Sequence, residues 1–201
     1  MATGAVAPSG PWLRAALWLL GALPGLWVFW HWRTGALGVV PDEALLHLTG
    51  RFALLLLVTT LGLGLAHFLT GWRVFVMARR PLGVWCFVYA LGHAIIWLVF
   101  DQGGIIEFAL AEARAMVHVQ LGLATLLLML PLALTSVNAA PRVMGFAAWK
   151  RLHLLVWPAA GLALAHAWVV SRFASPLLMA LAALLVALFA ARLIGWRRAK
   201  G

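Results

Sequence analysis

The chain of 201 residues is 65% hydrophobic and only 10% charged, with a mean hydropathy of +1.02, which excludes a soluble domain and describes a polytopic membrane protein with little mass outside the bilayer. Its net charge of +10 does not mark a nucleic-acid surface, because the basic residues punctuate apolar segments instead of forming one basic face. The single cysteine, Cys86, lies within an apolar segment, which leaves no disulfide framework and no cysteine-held metal cluster.

Taken in order, residues 1–11 are small and polar and read as a disordered cytoplasmic lead. No cleavable leader is expected, since no small-residue cleavage site follows a short apolar core and Pro24-Gly25 interrupts the first span. Span 1 runs from about Trp12 to Trp30, and HWRTG with the following PDE forms a first external loop. Span 2 covers about Gly50 to Trp72, led in by HLTGR, and span 3 covers about Leu82 to Phe100 after a MARRP connection. A loop carrying Asp101, Glu107 and Glu112 follows, with a short interfacial helix expected around Ile105 to Ala111. Span 4 is about Ala115 to Leu134, and TSVNAAPRVMGFAAWK connects it to span 5, which lies within residues 150–172. Span 6 is about Pro176 to Ile194, closed by a basic tail at 197–201. Each stretch is long enough to cross a bilayer, so the expected fold is an all-α membrane protein, a six-transmembrane-helix bundle over residues 12–196.

An even number of spans puts both termini on one side, and the charges choose which. With the N-terminus inside, eleven of the 15 Lys and Arg are cytoplasmic, and only Arg33, Arg51, Arg114 and Arg172 face out, together with all five acidic residues. This is the positive-inside pattern, so both termini are expected in the cytoplasm. Trp12, Trp72, Trp149 and Trp196 fall near span ends, where aromatic belts form.

The histidines carry the chemistry. His153 and His166 share span 5, roughly 20 Å apart along a helix axis, and imidazole is both costly against lipid and able to bind iron. Two readings stay open for them: helix–helix hydrogen bonding or interfacial placement, and axial ligation of haem. Haem needs partners at matching depths. Counted from the cytoplasmic ends of their spans, His93 lies roughly 17 Å and His166 roughly 22 Å deep, in the same outer half. His67, near the inner end of span 2, reaches the level of His153 and is its best partner, with snorkelling as the alternative. On an ideal helix His153 and His166 point about 140° apart, and Pro158 between them can retwist the helix. Gly62, Gly64, Gly92, Ala160, Gly161 and Ala165 offer room for a porphyrin or for close helix packing. His31, His47 and His118 read as interface histidines whose depths do not suit the pairing. Met116 is an alternative axial ligand. Arg51 and Arg80, at helix ends, can neutralise haem propionates or anchor to headgroups.

The segments RRPLGVWCFVYALGH (Arg79 to His93), HLTGR (His47 to Arg51), LALTS (Leu132 to Ser136) and WKRLHLLVW followed by His166 together resemble the MsrQ/YedZ family. That family supplies the haem-binding membrane subunit of the periplasmic methionine-sulfoxide reductase system, within the ferric-reductase-like transmembrane group. The resemblance covers roughly residues 12–196. It implies a b-type cytochrome of the bacterial inner membrane carrying one or two haem b. Electrons would come from the quinone pool or a cytosolic flavin reductase and pass to a periplasmic molybdenum-containing reductase. It maps the functional histidines onto His93, His153 and His166. It also associates FMN with the family, for which no binding residues are identifiable in this sequence. His67 stands where the family often carries arginine, which leaves the ligand set on that side open, with Arg80 as an alternative participant.

No G-x-G-x-x-G stretch follows a strand pattern, so nicotinamide chemistry is not expected of this chain alone. The expected role is an electron-transfer subunit and not the substrate-reducing one. A ferric reductase, or a cytochrome b subunit serving another periplasmic oxidoreductase, is the alternative with the same chemistry; a small transporter or membrane scaffold is the non-redox one. The scarcity of carboxylates inside spans argues against proton-coupled transport.

Overall fold

In a computed structural model, residues 11–172 and 175–198 are described, and these form nine α-helices with two short irregular helical segments. Residues 1–10, expected as a disordered lead, and 199–201 of the basic tail lie outside the described residues. Six helical stretches are long and apolar enough to cross a membrane: Pro11–Arg33, Pro41–Thr70, Arg73–Asp101, Val117–Leu134, Phe146–Val170 and Pro176–Ile194. The protein is an all-α, multi-pass membrane protein. Little of each stretch is buried within the bundle, between 11% and 28%, because its outer face is made for lipid and not for another helix.

Helix α1 spans Pro11–Arg33, α2 spans Pro41–Thr70 and α3 spans Arg73–Ile96. Two of these begin earlier than the apolar runs suggest. Pro41 occupies the first turn of α2, where its missing N–H costs nothing, and Asp42 and Glu43 complement the positive end of the helix. The HLTGR stretch is therefore helical. MARRP is likewise not a connection but part of α3, with Pro81 inside the helix. The true turn lies at Gly71, which takes a left-handed φ of 72° and donates its N–H to the His67 carbonyl at 2.8 Å.

Helix α3 runs on through a π-helical segment, Trp97–Asp101. Next come α4, Ile106–Ala115, which is the expected interfacial helix, and α5, Val117–Leu134. The connection after α5 holds α6, Ala140–Met144, and then α7, Phe146–Leu152. A 3-10 turn, His153–Leu155, separates α7 from α8, Val156–Val170. The retwisting expected at Pro158 thus occurs just before it, and Pro158 sits in the first turn of α8, where a proline does not break the ladder. Helix α9, Pro176–Arg198, ends the fold and takes in Arg197 and Arg198 of the expected tail.

Helix α2 packs chiefly against α3, and α5 against α8. A shared core joins Leu54, Leu57, Val58 and Leu61 of α2 to Cys86 of α3, Met129 of α5, Ala159, Ala160 and Leu164 of α8, and four leucines of α9. Ala159 and Ala160 are 0% and 1% exposed, which is the small-residue contact that lets helices meet closely in lipid. Buried hydroxyls close on their own helices: Thr49 donates to the Leu45 carbonyl at 2.8 Å, Thr60 to Leu56 at 2.7 Å and Thr125 to Leu121 at 2.8 Å. None is left to face hydrocarbon unpaired.

Helix α1 is held on α3 by a different device. Pro24 removes one N–H from its ladder, and the buried Tyr89 hydroxyl enters there, accepting from the Gly25 N–H at 2.7 Å and donating to the Gly21 carbonyl at 2.8 Å. The indole of Trp85 donates to the Trp18 carbonyl at 2.9 Å on the same side. Gly21 and Gly25 make room, since a Cβ on them would fall 2.2 Å from Trp85 and 3.0 Å from the Tyr89 oxygen. Replacing Tyr89 with Phe strands two main-chain groups in an apolar setting, a loss of about 1–3 kcal/mol. The expected result is a lower Tm of the detergent-solubilised protein with the helical circular-dichroism spectrum retained; an unchanged Tm would remove the hydroxyl from this role.

Candidate functional site

One end of α3 and one end of α8 bring two imidazoles together. The rings of His93 and His166 have centroids 6.0 Å apart and stand at 84° to each other. Each is fixed through the same atom. His93 Nδ1 hydrogen-bonds the Leu46 carbonyl of α2 at 2.9 Å, and His166 Nδ1 hydrogen-bonds the His118 carbonyl of α5 at 2.7 Å. A main-chain carbonyl only accepts, so Nδ1 carries the proton in both rings and Nε2 keeps its lone pair. Each Nε2 is therefore left with a lone pair that could bind a metal ion.

These carbonyls are reachable because of two glycines. Gly50 lies one turn beyond Leu46, and Gly122 one turn beyond His118. A Cβ on Gly50 would sit 3.0 Å from His93 Nδ1, and one on Gly122 3.0 Å from His166 Nδ1. The glycines singled out in the sequence are not the ones at the rings: Gly62, Gly92 and Gly161 have open space around them, and Gly64 faces the Arg79 guanidinium.

Both rings border a cavity of about 670 Å³ enclosed by α2, α3, α5, α8 and the start of α9, within the roughly 300–1,000 Å³ usual for cofactor sites. Its walls are mostly leucine and alanine. Polar groups gather toward one end: His47, Arg51, Asp101, Glu112 and His118. Glu112 accepts from the Trp97 indole at 3.3 Å and from the Gln102 amide, tying α4 to the π-helical exit of α3. The placement of His47 and His118 corrects the expectation that they lie apart from the pair. Both line the cavity, and the His118 ring is 6.2 Å from that of His166. His118 meets His166 through both its ring and its main-chain carbonyl, and a depth count along the helix ranks side chains without registering the carbonyl contact.

The remaining candidates sit elsewhere. His153 bonds its own helix at the Trp149 carbonyl, 3.0 Å away, with the Trp149 ring 4.2 Å from its own. His67 bonds the Trp72 carbonyl at 3.1 Å beside the turn and is half-buried. Both engage local partners, and no contact between them is found among the described residues. The charged neighbour of His153 is Arg79, which the sequence reading passed over. Arg51 lines the large cavity, whereas Arg80 bonds Asn138 and borders a separate cavity of about 380 Å³ with Arg14 and Trp18. His31 pairs with Trp27 of its own helix, and Met116 is exposed between α4 and α5.

Two ligands of one metal ion on opposite sides, each with a bond of about 2.0–2.1 Å and about 1.1 Å from nitrogen to ring centre, have centroids about 6.3 Å apart. The 6.0 Å found between His93 and His166 matches that spacing. Among the described residues no group of three or more His, Cys, Asp or Glu converges on a point. Two imidazoles bordering a mostly apolar cavity would suit an ion whose remaining ligands came from a bound macrocycle, for which about 670 Å³ offers room.

This defines the class: a membrane helix bundle presenting paired imidazoles within its apolar interior. Comparison with known proteins agrees. The family described as ferric reductase like transmembrane component matches residues 49–164, which takes in Gly50, His93 and Gly122 and ends two residues before His166. The chain is 35% identical over 192 residues to the protein-methionine-sulfoxide reductase heme-binding subunit MsrQ of Salmonella arizonae, covering 93% of this chain and 96% of that one. It is 36% identical to the MsrQ of Salmonella paratyphi B, covering 90% and 91%, and 35% identical to that of Ralstonia nicotianae, covering 78% and 72%. The chain belongs to the MsrQ family of ferric-reductase-like transmembrane proteins.

Cys86 abuts the same cavity but is 1% exposed, with its Sγ 3.1 Å from the Ala53 carbonyl. A bulky water-soluble maleimide is therefore expected to leave the native protein unlabelled and to add once per chain after denaturation, as read by mass spectrometry. Rapid labelling of the native protein would show the cavity open to water at that wall.

Proposed function

We propose that this protein is a b-type cytochrome subunit that relays electrons across the bacterial inner membrane to a periplasmic methionine-sulfoxide reductase. The observation that carries the reading is the His93–His166 pair: 6.0 Å between centroids, with Nδ1 held by main chain and Nε2 free on both sides. The curated relatives are named as heme-binding subunits of a protein-methionine-sulfoxide reductase, which supports both the cofactor and the kind of partner. His93 and His166 would hold the haem iron, and Arg51, which lines the cavity, would meet a propionate.

Haem b bound there supplies reversible one-electron chemistry at iron, and the protein sets its position and potential. Two imidazoles on one iron would leave it no open site, which would favour electron transfer over oxygen binding. Their hydrogen bonds to carbonyls raise imidazole basicity and fix ring orientation. The leucine and alanine walls keep water from the iron and lower the local dielectric, a further control on potential.

The positive-inside distribution of Lys and Arg supports cytoplasmic termini, flanking a single haem-binding transmembrane domain over residues 12–196. In that orientation the His93–His166 site is in the outer half, under the acidic loops that bear Asp101, Glu107 and Glu112. The electron acceptor on that side is a molybdenum-containing catalytic subunit. The donor is the quinone pool or a cytosolic flavin reductase, with FMN as a further carrier. The bundle holds one or two haem b; a second one, on the inner side, would take His153 as one ligand and His67 as the candidate for the other, with Arg80 as a charged participant near its propionates. The chain is the electron-transfer subunit and leaves sulfoxide reduction to its partner.

A pyridine haemochrome assay on the purified protein is expected to return haem b, and its EPR spectrum to show a strongly anisotropic low-spin signal, as near-perpendicular imidazole planes give. His93→Ala and His166→Ala each abolish that signal, whereas His153→Ala leaves it in place. Colourless wild-type protein, or an unaltered spectrum in both variants, would overturn the assignment. Copurification with an oxidoreductase that does not act on methionine sulfoxide would keep the chemistry and replace the partner.

A further inference from the structure

The same small arrangement occurs twice in this bundle. On α2, Leu46 presents its carbonyl and Gly50 stands one turn on; His93 of the next spanning helix lays Nδ1 on the carbonyl at 2.9 Å. On α5, His118 presents its carbonyl and Gly122 stands one turn on; His166 of the next spanning helix does the same at 2.7 Å. Both notches leave 3.0 Å between the ring nitrogen and a Cβ that is not there. A contact that short is tighter than an alanine side chain tolerates without moving its neighbour. Neither glycine has a positive φ, so backbone conformation is not the reason for it. In a helix interior glycine is also less favourable than alanine by about 1 kcal/mol. The reason on the page is steric: each glycine gives an imidazole access to a helix carbonyl that a side chain would screen.

We infer that Gly50 and Gly122 are positioning residues that tune the iron site by admitting the axial imidazoles to main-chain carbonyls. This rests on the haem reading above. A hydrogen bond from Nδ1–H to a carbonyl makes the imidazole a more basic ligand, which favours ferric over ferrous iron and lowers the potential. A methyl at either notch pushes its ring away, lengthens that bond and weakens the effect. With both imidazoles on one iron, the effects of the two notches would share a sign and combine. Gly62 and Gly92 provide matched controls, being helical glycines with nothing near a new Cβ; alanine there changes helix propensity alone.

The experiment is a spectroelectrochemical titration with EPR on haem-quantified preparations of wild type, Gly50→Ala, Gly122→Ala, the double variant and the two controls. An upward shift in midpoint potential with a changed largest g value is expected in each notch variant. The shift should be larger in the double variant and absent in Gly62→Ala and Gly92→Ala. A haem-free wild type would overturn the haem reading itself. Haem-loaded notch variants indistinguishable from the controls would overturn the role of the glycines and leave that reading standing. Should the notch variants fail to accumulate, electron–nuclear double resonance on the wild-type protein decides: Nδ1 protons on both ligands that resist exchange in deuterated buffer support the notches, and their free exchange or absence overturns them.

Discussion

The contact on which the site depends is an imidazole N–H laid on the carbonyl of a neighbouring helix. A spanning helix normally keeps its carbonyls for itself, because hydrocarbon offers no other partner. Here the Leu46 and His118 carbonyls each accept a second donor from across a helix interface. One hydrogen bond sets three things at once: it fixes the tautomer, aims Nε2 and locks the packing of α3 on α2 or of α8 on α5. Because the two bonds are alike, the two Nε2 atoms are alike as donors, and the rings so held stand at 84° to each other.

The rest of the bundle obeys the same restriction on unpaired polar groups and satisfies it differently in each place. Threonines return their hydroxyls to their own helices. The Pro24 defect in α1 is mended by Tyr89, whose hydroxyl stands between an N–H and a carbonyl that pair with each other in a regular helix. The π-helical exit of α3 is tied to α4 through Glu112, and the polar end of the cavity forms where those segments leave regular helix. Irregular backbone at Trp97–Asp101 thus borders the cavity, where main chain departs from helix at low cost.

The six spans were legible because length and apolarity alone specify them. Their ends were less so: Arg73–Arg80 reads as a charged connection but is helix, since Arg and Ala are good helix formers and Gly71 supplies the break. The His93–His166 pair was legible from depth along two helices of known direction. The carbonyl partners were not, because a main-chain acceptor carries no residue signature. A sequence signal did exist: a histidine or leucine followed by glycine one turn later, at Leu46-Gly50 and His118-Gly122, in each helix that precedes a ligand helix. It was hidden because depth ranks side chains and because His118 contributes a carbonyl, not its ring. Adjacent arginines look alike in sequence but point to different sides of a helix: Arg79 turns toward Gly64 and His153, and Arg80 toward Asn138 and Arg14.

Small residues accordingly do two distinct jobs at two levels of this bundle. At Ala159 and Ala160 they are wholly buried and let α8 approach the core leucines of α2 and α9, which is the usual reason for them in membranes. At Gly50 and Gly122 the space of the missing Cβ is taken by an imidazole from the neighbouring helix and not by its backbone. The first kind tolerates alanine by construction, being alanine already. The second cannot, because the space is filled by the group whose orientation it sets. Composition alone does not separate the two, and only the identity of what occupies the space above each missing Cβ does so.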